Sequence, residues 1–112
     1  MKFANGLMFA LATALGTIVL LAVSVRGQDT PEALYKAKCV TCHGAHGAGD
    51  TRNGKKTGAR DFGSAEVQNE TDAQFIEIIA NGKNMMPGYK KRLTDTQIKD
   101  LAAHCREMGN KK

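Results

Sequence analysis

The chain has 112 residues, enough for one small domain, and its sixteen Lys and Arg outweigh eleven Asp and Glu for a formal net charge of +5. Six aromatic residues and no Trp leave material for only a thin core, and no basic stripe interleaved with aromatics supports nucleic-acid binding. Three cysteines are an odd count, which argues against a disulfide framework.

Met1 and Lys2 precede an uncharged run from Gly6 to Val25 that includes Leu7, Phe9, Leu11, Leu15, Ile18, Leu20 and Leu21. A positive start, an apolar middle and small residues near Ser24 and Gly27 fit a secretory signal over residues 1–27. The run covers 20 positions, so its retention as a membrane anchor over residues 6–25 is the alternative. Either way Lys2 stays inside and the remainder, residues 28–112, is exported.

Thr30-Pro31-Glu32 opens a helix: Thr30 caps it, Pro31 suits its first position and Glu32 complements its dipole. The helix carries Leu34 and Tyr35 and runs into Cys39-Val40-Thr41-Cys42-His43. Two cysteines at i and i+3 followed directly by a histidine read as a c-type haem attachment site. Residues three apart share one face of a helical turn, so both thiols can add to the two vinyl groups on one edge of a porphyrin. His43 lies on the same side, where an imidazole nitrogen can reach the haem iron. Gly44 lets the backbone leave the helix without a Cβ penalty. Such a pair of cysteines has two other uses. A redox dithiol needs a βαβ setting that the sequence lacks, and a structural zinc needs four ligands, for which His46, His104 and Cys105 are not paired at metal spacing.

From Gly44 to Gly63 the chain holds six glycines with Lys55, Lys56 and Arg60, and an irregular loop is expected. Ser64 to Gln68 suggests a short helical turn. Thr71-Asp72-Ala73-Gln74 is a capping box that opens a helix with Phe75, Ile78 and Ile79 at helical period, stopped by Asn81-Gly82. A loop, Lys83-Asn84-Met85-Met86-Pro87-Gly88-Tyr89, precedes a second capping box, Thr94-Asp95-Thr96-Gln97. The last helix lines up Ile98, Leu101, Ala102, Cys105 and Met108, with Gly109-Asn110 expected to end it. No strand-like alternation occurs, and the exported domain is predicted to be all-α.

From about Thr30 to Met108 the sequence resembles the class I cytochrome c family, in particular its short bacterial members with one haem. The resemblance rests on the helix running into Cys39-Val40-Thr41-Cys42-His43-Gly44, the Gly-rich loop, the Gly82-Lys83 to Met86-Pro87-Gly88-Tyr89 loop, and the final helix after Leu93-Thr94-Asp95. It implies three to five helices around one haem c attached through Cys39 and Cys42, with His43 as one iron ligand. In that family the methionine just before the proline is the second ligand, which maps onto Met86, with the adjacent Met85 as the alternative. Family members also pack their first and last helices through an aromatic and a Leu-x-x-aromatic pair. Tyr35 and Leu101 match, but His104 stands where the second aromatic is usual. The proline whose carbonyl often accepts the proximal imidazole N–H is absent, because no proline lies between Gly44 and Glu70. Some other carbonyl of the loop must serve.

Cys105 is expected to be a buried, inert thiol, and His46 and His104 loop and packing residues. Lys55, Lys56 and Arg60 are ordinary solvated charges, or else cations that pair with a haem propionate or orient a partner. Without Lys2 and Arg26 the charge falls to +3, and two propionates would bring it to about +1. The expectation is a periplasmic electron carrier, not itself an enzyme, that passes one electron between redox partners such as an oxidase, reductase or dehydrogenase. The alternatives are a membrane-tethered subunit of an oxidase or dehydrogenase complex, and a haem sensor or enzyme with a labile Met ligand.

Overall fold

A computed structural model describes residues 29–111. The expected leader, whether cleaved at residue 27 or kept as an anchor, lies outside the described residues. Among them there are six helical segments: α1 (Pro31–Lys38), α2 (Val40–His43), α3 (Arg52–Thr57), α4 (Ala65–Gln68), α5 (Asp72–Asn81) and α6 (Asp95–Asn110). Only Cys39 separates α1 from α2, so the two read as one helix with a joint, and the described residues contain no strand beyond an isolated antiparallel bridge between Lys83 and Met86. None of these helices is long and apolar enough to cross a membrane.

The starts of these helices follow from local chemistry. Thr30, Thr51, Ser64, Thr71 and Thr94 each occupy an N-cap in extended conformation, with the side-chain oxygen accepting a first-turn N–H. At Thr71/Gln74 and Thr94/Gln97 the glutamine returns the bond to the cap N–H, completing both capping boxes. α5 stops at Gly82, where φ is 78°.

One expectation is corrected. The stretch from Gly44 to Gly63 is not irregular throughout, because Thr51 caps α3 (2.8 Å from the Gly54 N–H) and Gly58 closes it in the left-handed region. The last helix ends at Asn110, at the expected Gly109-Asn110 pair, but Gly109 is not its cap. It lies inside α6, buried, with its bare Cα against the Phe62 carbonyl and the Gln68 amide.

The core gathers Leu34 and Tyr35 of α1, Phe62, Val67 of α4, Phe75 and Ile79 of α5, Leu93, and Ile98, Leu101, Ala102 and Cys105 of α6. Ile98 and Leu101 are the most completely enclosed, each contributing roughly 1.5–3 kcal/mol by leaving water. α6 is the shared partner, packing on α1, α4 and α5. Across the α1–α6 contact the Tyr35 ring meets His104 edge-on at 5.5 Å between centroids, so the histidine fills the aromatic position.

Candidate functional site

Cys39 is the joint between α1 and α2, and the helical bonding does not stop there. Its N–H donates to the Tyr35 carbonyl at 2.8 Å, and the His43 N–H donates to the Cys39 carbonyl at 2.9 Å. Cys39, Cys42 and His43 therefore sit on one turn, as their spacing requires. Gly44 leaves the turn at φ 79°, and its carbonyl accepts the buried Tyr35 hydroxyl at 2.7 Å. α3 presses on this turn from outside. The Thr51 hydroxyl is shared between the carbonyls of Thr41 (2.7 Å) and Cys42 (3.0 Å), and a Cβ at Gly54 would collide with the Cys42 carbonyl.

The second half of the site is the loop after α5. Lys83 and Met86 exchange two backbone hydrogen bonds, Lys83 N–H to Met86 carbonyl at 3.1 Å and Met86 N–H to Lys83 carbonyl at 2.9 Å, around Asn84 at φ 53°. That tight turn separates the neighbouring methionines: Met85 is 65% exposed, whereas Met86 is half-buried against the core. Tyr89 ties the loop back by donating its N–H to the Ile79 carbonyl at 2.9 Å and its hydroxyl to the Lys38 carbonyl at 3.3 Å.

Cys39, Cys42, His43 and Met86 all line one cavity of about 420 Å³, in the range of sites that bury most of a small-molecule ligand. Its walls include Phe62, Val67, Phe75, Ile79, Leu93 and Leu101, with the charged pair Arg60–Glu70 set among them. The His43 ring stacks on Phe62, 4.6 Å between centroids and 26° between planes. Burial pulls the imidazole below its ordinary pKa. The Arg60 carbonyl works weakly against that, and the Arg60 charge adds to it. The ring is thus neutral near pH 7, the form in which a nitrogen can bind a metal. Its Nδ1 is buried and closes no hydrogen bond, although the Arg60 carbonyl is near enough to favour the protonated ring. Burial also pushes the Cys39 thiol up to about 11, and the Cys105 thiol to about 12.

Two cysteine sulfurs on one turn, an imidazole with an unpaired buried nitrogen, and a thioether, all in one largely apolar cavity, form a donor set that fits haem c. The dithiol and zinc alternatives find no such setting. No βαβ unit occurs among the described residues, and no group of three or more His, Cys, Asp or Glu there is placed to hold a metal ion. The other candidates fall outside the site or at its margin. Lys55, Lys56 and His46 are exposed, His104 packs on Tyr35, and Cys105 is buried yet lines the cavity. Phe62 and Glu70 carried no site assignment in the sequence, and Tyr89 entered only as the last residue of the Met-Pro loop. Phe62, the lone aromatic between Gly44 and Glu70, was the one with a signal.

The family described as cytochrome c oxidase, cbb3-type, subunit III matches residues 27–104. The chain is similar to cytochrome c6 of Leptolyngbya boryana, 33% identical over 78 residues that make up 70% of this chain and 88% of that protein. It is also similar to a cytochrome c6-like protein of Nostoc sp., 30% identical over 110 residues and 94% of each chain. A cbb3-type cytochrome c oxidase subunit CcoP of Azospirillum brasilense is 29% identical over 100 residues, 83% of this chain but 34% of that subunit, so the chain spans about a third of it. Among solved structures, the KustC0563 c-type cytochrome superposes with a TM-score of 0.66 at 37% identity, covering 70% of this chain and 96% of that one. The helical fold, the donor-lined cavity and these likenesses agree: the chain belongs to the cytochrome family described as cytochrome c oxidase, cbb3-type, subunit III, and is an electron-transfer c-type cytochrome with covalently bound haem c.

Proposed function

We propose that the protein is a periplasmic carrier of single electrons on one haem c, held through thioethers at Cys39 and Cys42, with His43 and Met86 as the iron's two protein ligands. The observation that carries this reading is the convergence of all four residues on one apolar cavity; Met85 also reaches its lining, but it is mostly exposed whereas Met86 packs against the core. When bound, haem c supplies a one-electron ferric/ferrous couple. The chain's residues do the rest. Cys39 and Cys42 fix the group on the α1–α2 turn, and the Phe62, Phe75, Ile79 and Leu101 walls exclude water. With His43 and Met86 as its two protein ligands the iron would have no free position for a substrate, and reorganisation on electron transfer would stay small. Exposed Lys38 and Lys83, both on the cavity lining, favour brief docking of an oxidase, reductase or dehydrogenase.

The test is the absorption spectrum of the ferrous protein with and without CO, after expression alongside haem-attachment machinery. Sharp c-type bands unmoved by CO are expected, and a prompt CO shift would favour a sensor or enzyme with a labile ligand. Met86→Ala should lose the six-coordinate His/Met spectrum, and Met85→Ala should keep it. The opposite result would reassign the ligand.

A second reading, a membrane-tethered subunit of an oxidase or dehydrogenase complex, is supported by the family's description and by the likeness to CcoP. The intact mass of the exported protein separates the two, since an anchored chain retains residues 6–25.

A further inference from the structure

Arg60 and Glu70 are a charged pair in the wall of a largely apolar cavity, and their geometry is specific. The Arg60 fork grips the carboxylate at both oxygens, Nη1 to Oε1 at 2.5 Å and Nη2 to Oε2 at 3.2 Å, with the Glu70 side chain 16% exposed. Glu70 is itself anchored. Its N–H donates to the Val67 carbonyl at 3.0 Å, and its carbonyl accepts from Arg106 of α6. The pair therefore ties the Arg60 segment to the last helix.

The backbone end of Arg60 lies near the His43 segment. A Cβ built on Gly49 would collide with the Ala59 carbonyl and stand 3.0 Å from the Arg60 carbonyl oxygen, so the backbone of both residues lies beside Gly49. The Gly49 N–H in turn donates to the His43 carbonyl at 2.9 Å. Arg60 thus belongs to the layer of backbone laid against His43, whose Nδ1 is buried without a hydrogen bond. The usual proline acceptor is absent from this loop. We propose that Arg60 is a positioning residue for His43: its two-point grip on Glu70 keeps its own carbonyl close to the buried Nδ1, as the acceptor that this nitrogen would need with the other bound to iron, and through that bond the pair lowers the reduction potential. This inference rests on the reading of His43 as an iron ligand.

The physical link is ligand basicity. A carbonyl that accepts the outer N–H of a metal-bound imidazole makes the inner nitrogen a better donor, which favours the ferric over the ferrous state. Loosening the carbonyl raises the potential. A charged pair could also act by Coulomb attraction alone, so the variants chosen preserve charge. Arg60→Lys keeps the cation but loses the planar fork, and Glu70→Asp keeps the carboxylate but draws it back.

Both variants are expected to raise the potential of the haem-loaded protein above wild type. In both, the His43 Nδ1–H, followed by NMR in the ferrous state, should exchange with water several-fold faster. Wild-type potential and wild-type exchange in both variants, with a shift seen only in Glu70→Gln, would assign the pair to charge alone and overturn the proposal. Failure of the underlying reading looks different: His43→Ala would then keep the low-spin spectrum of wild type.

Discussion

At the scale of single residues, Cys105 gives the protein an alkaline limit. Its thiol is buried on the cavity lining, and burial moves it from the ordinary 9.0 to about 12. An unfolded chain would release that proton near pH 9, while the folded protein keeps it to about pH 12. Between those values the folded state binds more protons, so stability falls as pH rises. Burial of the Tyr35 hydroxyl acts in the same direction. The denaturant midpoint is expected to drop from pH 8 to pH 11, and the drop should be shallower in Cys105→Ala; parallel curves would show that this thiol is not responsible. Residues of this kind divide by how far their meaning travels along the chain. That Cys39, Cys42 and His43 share one turn could be read in the sequence, because it depends on a five-residue spacing. Arg60 and Glu70 could not, because a cation in a Gly-rich loop and a carboxylate before a capping box look like solvent charges until the fold faces them toward each other.

At the scale of elements, the two capping boxes at Thr71 and Thr94 were legible for the same reason, a reciprocal bond spanning three residues. α3 was not, because the glycines around it outweighed the single Thr51 cap that nucleates it. Gly109 is the instructive case. In sequence it looks like a terminator, yet its lack of a side chain lets α6 lie against the Phe62 backbone. Helix propensity alone predicts that Gly109→Ala stabilises α6 by about 1 kcal/mol. The close approach of Phe62 reverses the sign, and a loss of about 1–3 kcal/mol is expected from overpacking. The shift of the denaturant midpoint decides between them, and a gain in stability would mean that α6 and the Phe62 segment can separate without cost. Arg106 reinforces the same junction, with its guanidinium 4.6 Å over the Phe75 ring and donating to the Gln68 and Glu70 carbonyls.

At the scale of the whole molecule, the apolar residues surround the cavity more than they fill a centre, so α1, α5 and α6 meet partly through whatever occupies it. A domain of this size with so few aromatics is marginal without a staple. A Cys39→Ala, Cys42→Ala chain, unable to form either thioether, should lose most of its far-ultraviolet helical signal and melt without a sharp transition. Retention of a cooperative melt would mean that the protein packs without its cofactor. The contact between α1 and α6 joins the two ends of the described chain. On a polypeptide delivered N-terminus first, Leu34 and Tyr35 arrive early, and the helix that covers them arrives last. Until then the cavity beside the turn from Cys39 to His43 lacks the wall that Leu101 and Cys105 of α6 supply. The topology thus gives an attachment enzyme an interval in which to reach both thiols, and the arrival of α6 brings that interval to an end.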